Sequence, residues 1–168
     1  MTNTRGTGAA RAVADLERGT IVATIEIRAT LEAVFRSLTT PEELVRWWGA
    51  EGAYRTSEWT TDLRAGGKWR ASGKGADGQT FSVEGTILAI DPPRKLVQTW
   101  KADWDGSKET KVTYSLDPIA GGTRITVLHE GFAGRPESCE GHRSGWELVL
   151  GWLESYASPS GRAVASLG

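Results

Sequence analysis

The chain has 168 residues, a formal net charge of −1 and 24% charged residues. A chain of this length suits one domain, which buries about 70% of its unfolded-state surface without a disulfide. Cys139, the only cysteine, has no partner in the chain. The charge gives no attraction to nucleic acid or anionic membrane, no apolar run approaches the roughly 18 residues of a membrane span, and the N-terminus lacks a secretory signal. We therefore expect a cytoplasmic protein with no nucleic-acid partner and no membrane insertion.

Tryptophan is the unusual component of the composition, with eight Trp against three Phe and three Tyr. Large aromatic side chains bury much surface and often form the walls of small-molecule pockets. The same side chains also serve as ordinary core residues. The composition therefore indicates an aromatic interior and leaves open whether that interior contains a cavity or is filled.

The N-terminal part of the chain predicts a tail followed by a strand. Residues 1–18 are rich in Thr, Gly, Ala and Arg, and we expect a flexible tail with room for a helical turn over residues 10–17. Residues 20–28 alternate between isoleucine-rich and polar positions, which is typical of a half-buried strand. The isoleucine-bearing face of this strand is expected to pack in the core.

Two short helices are predicted after the first strand. Thr30 is placed to cap a helix in which apolar residues recur at helical spacing. Thr40 is placed to cap the second helix, with Pro41 at its first position and Glu43 completing a capping box. We expect this second helix to end at Gly49 in a left-handed cap.

The middle of the chain predicts six strands in rapid succession after a loop at residues 50–57. Short turns rich in Gly, Asp and Pro separate them, which favours antiparallel neighbours. Asp103 and two other carboxylates alternate with the apolar residues along their predicted strands. Their side chains are therefore expected on the outer face of the sheet. The predicted strands are residues 57–63, 68–73, 79–90, 95–104, 109–116 and 123–131.

The closing stretch, residues 140–157, predicts a long amphipathic helix. Trp146, Val149, Leu150, Leu153 and Ala157 share one stripe at helical spacing, and a second apolar stripe lies beside it. An apolar arc this wide needs a broad, concave partner. We therefore expect a curved sheet that surrounds this helix, with a flexible C-terminal tail over residues 158–168.

The element order and several motifs resemble the helix-grip fold of the START-like (SRPBCC) superfamily, and within it the family named for the activator of heat-shock-protein-90 ATPase. The resemblance implies an α+β domain over residues 19–157, with an antiparallel sheet of about seven strands around the C-terminal helix and two short helices after strand one. The matching segments are VFRSLTTPEELVRWWG (34–49), DLRAGGKWR (62–70), GTILAIDPPRKLVQTW (85–100), GGTRITVLHEGF (121–132) and GWELVLGWLESY (145–156).

The resemblance implies several functions rather than one. Family members of this size are mostly bacterial single-domain proteins of assorted function. START-like proteins bind apolar small molecules beneath the long helix, and a few catalyse cyclisation or dehydration there. The co-chaperones that name the family carry a further N-terminal domain, for which this chain has no room, so chaperone binding is the weaker expectation. START-like sheets can also pair, which makes a homodimer conceivable.

The two histidines are the candidates for chemistry. His129 is in phase with Ile125 and Val127, so it should face the helix and could act as a proton shuttle or be a satisfied core histidine. His142 opens the last helix, where it could face the cavity mouth, cap the helix or be exposed to solvent. Cys139 and His142 are spaced like half of a zinc site, but no second pair exists, so we expect neither a metal nor another cofactor.

We expect an apolar or aromatic small molecule to bind between sheet and helix, with the last helix as the lid and the tryptophans as walls and rim. A cyclase- or dehydratase-like enzyme that uses the same cavity and a co-chaperone-like protein-binding module are the alternatives, and a filled core without a usable cavity would exclude the first two functions. The predicted cavity residues are Trp47, Trp48, Trp69, Phe81, Trp100, Trp104, His129, Phe132, His142, Trp146, Val149 and Leu150.

Overall fold

The computed structural model describes residues 9–159, which form one large antiparallel sheet with three helices. The elements are β1 (Arg11–Asp15), β2 (Thr20–Ile27), α1 (Leu31–Thr39), α2 (Pro41–Trp47), β3 (Gly49–Ala50), β4 (Tyr54–Thr61), β5 (Lys68–Gly75), β6 (Thr80–Asp91), β7 (Lys95–Ala102), β8 (Glu109–Ile119), β9 (Gly122–Glu130) and α3 (Pro136–Ala157). A short 3-10 turn, Asp103–Asp105, follows β7. No helix within residues 9–159 is long and apolar enough to cross a membrane.

The nine described strands lie in the order β1-β2-β9-β8-β7-β6-β5-β4-β3, and every neighbouring pair is antiparallel. The curved sheet, the long last helix and the two short helices confirm the helix-grip fold predicted from the sequence. The prediction of about seven strands was too low, because β1 and the two-residue β3 lie at the two edges of the sheet.

The helical turn predicted over residues 10–17 is wrong, because Arg11–Asp15 forms β1 and pairs with β2. Gly19 closes this hairpin with a φ of +73°, and a Cβ there would lie 2.0 Å from Ala133 N. A side chain at position 19 would therefore displace the backbone that enters α3. The predicted tails otherwise fall mostly on residues 1–8 and 160–168, which lie outside the described residues.

The capping predictions for the two short helices had different outcomes. Thr30 Oγ1 accepts a hydrogen bond from Ala33 N at 3.1 Å, which confirms it as the N-cap of α1. Thr40 makes no side-chain cap, so the predicted capping box is wrong. The Glu43 carboxylate instead accepts hydrogen bonds from the side chains of Arg36, Ser37 and Tyr156, all at about 3 Å. Glu43 therefore joins α1, α2 and α3 rather than capping its own helix.

The end of α2 also differs from the prediction. The cap residue is Trp48, and Gly49 begins β3 with a φ of +136°. A Cβ at Gly49 would lie 2.5 Å from the Tyr54 carbonyl oxygen, so the glycine permits close pairing of β3 with β4. Part of the predicted loop at residues 50–57 is therefore sheet.

The last helix, α3, begins at Pro136 and is one turn longer than predicted. Its first predicted stripe is buried through Trp146, Val149, Leu150 and Leu153. The second stripe is only partly covered, since Leu148 is 51% exposed. The helix therefore packs against the sheet and the short helices along one face and presents the other to solvent.

Candidate functional site

A cavity of about 990 Å³ lies between the inner face of β4–β7 and the N-terminal half of α3. Residues from four strands, the end of α2, the 3-10 turn and α3 line it, so no single segment of sequence contains it. Its interior is mostly aromatic and aliphatic. Eight of the predicted cavity residues line it: Trp48, Trp69, Phe81, Trp100, Trp104, His142, Trp146 and Val149.

Four predicted cavity residues lie behind the wall rather than on it. His129 and Phe132 are fully buried and do not line the cavity. Trp47 turns toward α1, where its Nε1 donates to Ser37 O at 2.9 Å. Leu150 is on the buried face of α3 and packs in the hydrophobic core. For His129 and Leu150 periodicity gave the inward face, but it carries no information on depth below that face.

Sequence reasoning missed two aromatic residues of the wall, Tyr54 and Trp59. Tyr54 falls in the predicted loop at residues 50–57, although it begins β4. Trp59 lies in a segment predicted as a strand, and a lone tryptophan among small polar residues was a usable signal. A register shift in β4 between Thr56 and Glu58 also alters the alternation on which the assignment of faces depends.

Five tryptophans form a continuous wall around the cavity. Trp59 stacks on Trp69 with ring centroids 5.6 Å apart and lies 5.2 Å from Trp48. Trp100 joins the group at 5.7 Å from Trp69 and at 6.0 Å from Trp146. These are distances at which aromatic pairs attract one another in tilted or offset geometry.

The polar N–H groups of four wall tryptophans are already bonded within the protein. Their Nε1 atoms donate as follows: Trp48 to Tyr54 OH at 3.1 Å, Trp69 to Thr99 O at 3.0 Å, Trp100 to His142 Nε2 at 3.3 Å and Trp146 to His129 Nδ1 at 3.0 Å. Burial, only partly offset by the bond from Trp48, raises the pKa of Tyr54 to about 12. The rings therefore contribute mainly carbon surface, beside a tyrosine that stays neutral.

His129 has both ring nitrogens occupied. Nδ1 accepts from Trp146 Nε1, so the proton lies on Nε2, which donates to Thr110 Oγ1 at 2.7 Å. Thr110 Oγ1 in turn donates to Trp100 O at 3.1 Å. Burial, the largest cause, lowers the pKa of His129 well below its usual range. His129 is a neutral structural residue that holds the wall tryptophans in position, with no access to a ligand.

His142 lines the cavity, but its nitrogens are also bonded. Nδ1 donates to Ser138 O at 2.9 Å, and Nε2 accepts from Trp100 Nε1. Burial lowers the pKa of His142, and the opposing effect of the bond to Ser138 does not outweigh it. The imidazole is therefore neutral near pH 7 and adds no positive charge to the cavity.

The cavity has an acidic rim, defined by Asp77, Asp103, Asp105 and Glu137. These residues come from the β5–β6 turn, the 3-10 turn and the first turn of α3, which meet at one end of the sheet. The prediction that Asp103 faces outward from a strand is wrong, because β7 ends at Ala102 and the chain then turns toward the cavity. Trp104, in the same turn, is 57% exposed at this end.

Arg135 forms an ion pair with Asp105 of the acidic rim. Burial raises the pKa of Asp105, but the hydrogen bond and charge of Arg135 outweigh it, so this pKa lies below its ordinary value. Asp103 Oδ2 accepts from the backbone N–H of Ser82 at 3.1 Å. In residues 9–159, no group of three or more His, Cys, Asp and Glu side chains is arranged to hold a metal ion.

The chain is similar to a known protein family in sequence and to several solved structures in fold. A family model described as "Activator of Hsp90 ATPase homolog 1-like protein" matches residues 28–158. A crystal structure from Rhodobacter sphaeroides is similar at a TM-score of 0.75 and 24% identity, over 88% of this chain and 97% of that chain. Protein CV1439 from Chromobacterium violaceum matches at 0.73 and 26%, over 84% and 98% of the two chains.

An AHSA1-like protein from Aeromonas hydrophila, solved in solution, matches at a TM-score of 0.66 and 23% identity, over 88% of this chain and 95% of that chain. No curated protein matches the sequence significantly. The family model spans most of the chain, and the similar structures share its sheet and long last helix. The chain therefore belongs to the Activator of Hsp90 ATPase homolog 1-like family, with the START-like helix-grip fold.

Proposed function

We propose that this protein binds an apolar or aromatic small molecule in the cavity beneath α3, without catalysing a reaction. The observation that supports this most directly is the cavity itself, whose volume of about 990 Å³ is large for a chain of 168 residues. Ligand pockets are typically about 300–1,000 Å³, mostly apolar and largely formed in advance. An apolar ligand in this cavity would cover aromatic surface that is otherwise in contact with water.

The bonding of the wall tryptophans supports an apolar occupant. The N–H groups of four of them, Trp48, Trp69, Trp100 and Trp146, are satisfied by protein acceptors, so a ligand that covers these rings displaces water from carbon without breaking a hydrogen bond. Burial of such surface is favourable by about 25 cal/mol per Å². The wall therefore favours a flat, apolar molecule.

The two other functions considered from the sequence receive less support. An acid–base enzyme needs a histidine that reaches substrate, whereas His129 is sealed behind the wall and His142 has both nitrogens bonded. A chaperone-binding module needs a contiguous exposed apolar patch. The large exposed apolar side chains of the described residues are instead distributed over β1, β2, β6, α3 and several loops.

Two glycines of α3 supply a matched test. Gly145 lines the cavity and Gly151 does not, and in both cases an added Cβ would meet nothing within 4 Å. Gly145→Leu should therefore fill part of the cavity, while Gly151→Leu makes the same change elsewhere on the helix. Both should stabilise the helix by roughly 0.5–1 kcal/mol, since glycine is a poor helix former.

The experiment titrates wild type and both variants with polycyclic aromatic, steroid and polyketide compounds, and follows tryptophan emission and melting temperature. We expect at least one compound to shift both signals in wild type and in Gly151→Leu. Gly145→Leu should bind that compound at least about tenfold more weakly, because steric overlap of one side chain with a ligand costs more than about 1.4 kcal/mol. A wild-type protein that responds to no compound, or a Gly145→Leu variant that binds equally well, would refute the proposal.

A further inference from the structure

The charges around the cavity are strongly one-sided. Its lining contains four carboxylates, those of the acidic rim, and within residues 9–159 no lysine or arginine belongs to it. This contrasts with the whole chain, in which Lys and Arg number 20 and Asp and Glu number 21. The local imbalance therefore does not follow from composition.

Three of the four rim carboxylates have no cationic partner among the described residues. Asp105 is paired with Arg135, but no ion pair in residues 9–159 involves Asp77, Asp103 or Glu137. The hydrogen-bond donors that the structure shows for them are uncharged: Ser82 N and Ser82 Oγ for Asp103, and Gln79 N for Asp77. The neutral His142 does not offset them. The open end of the cavity thus has an uncompensated negative charge.

Aromatic rings lie directly beside this charge. Trp104 stands between Asp103 and Asp105 in the chain, stacks on His142 with centroids 6.0 Å apart and meets Phe81 edge-on at 6.1 Å. The faces of aromatic rings attract cations, and most strongly those of tryptophan. Trp104 is more than half exposed at the cavity entrance. A ligand that covers this ring would bury its apolar surface, which is favourable.

We propose that the cavity selects organic cations: apolar, aromatic molecules that carry a protonated amine or a quaternary ammonium group. The cationic group lies at the acidic rim beside Trp104, and the apolar body lies among Trp59, Trp69 and Trp100. This inference rests on the proposed function, since it names the chemical class of the ligand for the same cavity. Repulsion from the same rim weakens the binding of a carboxylate-bearing ligand.

Three probes with one skeleton separate charge from shape: 9-anthracenemethylamine, 9-anthracenemethanol and 9-anthracenecarboxylate. Their binding is measured by anthracene emission excited through tryptophan, at low and at high salt. We expect the amine to bind wild type about tenfold more tightly than the alcohol, with the carboxylate weakest, because several charges and ring faces act together. High salt should reduce the preference for the amine, since these charges are partly exposed.

The double variant Asp103→Asn, Glu137→Gln removes two rim charges and retains oxygen acceptors of similar size. It should lose most of the preference for the amine while its affinity for the alcohol stays within about twofold. Glu84→Gln is the matched control, because Glu84 is exposed on the outer face of β6 and pairs with Arg70. This control should keep the wild-type preference, and circular dichroism should show all variants folded.

The outcomes separate the two proposals. Equal binding of amine and alcohol to wild type, or a preference that survives in the double variant, overturns the inference about cations and leaves small-molecule binding intact. Failure of all three probes to accept energy from tryptophan counts against the proposed function itself, and the inference fails with it.

Discussion

The two halves of the sheet place different kinds of side chain beneath the helices. The aliphatic half, formed by β2, β9 and β8 under α1 and the end of α3, is filled by branched residues with almost no exposed surface. The aromatic half, formed by β4–β7 under the start of α3, surrounds a cavity of about 990 Å³. The fully buried aliphatic residues include Ile21, Ile25, Ile27, Val34, Leu116, Ile125, Val127 and Leu153.

The difference follows from the shapes of the side chains. Branched aliphatic groups interdigitate to the density of an organic crystal. The indoles of the aromatic half, which meet at angles such as 44° and 53°, line a cavity instead of filling the space beneath α3. The inward residues of β5 also become smaller toward the cavity entrance, from Trp69 through Ala71 to Gly73 and Gly75. One continuous sheet thereby supplies both a closely packed core and the wall of a cavity.

The largest effect is expected when one buried valine in each half of the sheet is replaced by alanine. Val127→Ala in the aliphatic half should lower the free energy of unfolding by about 3 kcal/mol, because it opens a new void. Val83→Ala in the cavity wall should cost about half as much, since the space beside it is already open and mainly the transfer free energy is lost. Urea unfolding followed by far-UV circular dichroism measures both. Equal losses would mean that the two halves are packed alike.

Enlarging a buried alanine should destabilise the aliphatic half more than the cavity wall. Ala23 and Ala71 are both buried in strands, the first in the aliphatic half and the second on the cavity wall. Ala23→Val should destabilise the protein by about 1–3 kcal/mol through overpacking. Ala71→Val should change stability by less than about 0.5 kcal/mol, because valine suits a strand and the cavity accepts the extra methyl groups. A melting-temperature comparison decides between these outcomes, and an equal loss in both variants would contradict an open cavity.

The smallest expected effect is a pH dependence that arises at the boundary between the halves. His129 has a pKa well below the ordinary 6.5 in the folded state, so below about pH 6.5 the unfolded chain takes up a proton that the native protein does not. Stability should therefore fall as pH falls, by up to about 1.4 kcal/mol per pH unit for one such group. Urea unfolding between about pH 5 and 7 measures this slope.

Substitution separates the two histidines that titrate in this window. The pKa of His142 is lowered in the same direction, so the wild-type slope contains both contributions. His129→Gln should remove the larger part, because His129 is the more deeply buried, and His142→Gln should remove the smaller part. An unchanged slope in His129→Gln would show that this histidine does not titrate as the structure indicates.

The sequence by itself determined the main elements, the fold and the inward direction of most aromatic residues. Alternation in residues 20–28 and 123–131 identified β2 and β9, and helical spacing identified α3, because a strand or helix buried on one face must show its period in the sequence. The same signal placed His129 on the inner face, where the structure has it. The edge strand β1 was missed, since a short edge strand buries little and shows a weak pattern.

Only the tertiary structure decided which inward residues line a cavity and which lie behind it. Trp47 turns to Ser37, His129 is covered by Trp146, and Trp59 enters the wall from a strand in which a register shift interrupts the alternation. The acidic rim likewise exists only because the β5–β6 turn, the 3-10 turn and α3 meet at one end of the sheet. Periodicity gives the face of each element, but a cavity is space that several distant segments leave unfilled together, and its depth and charge arise only when they pack.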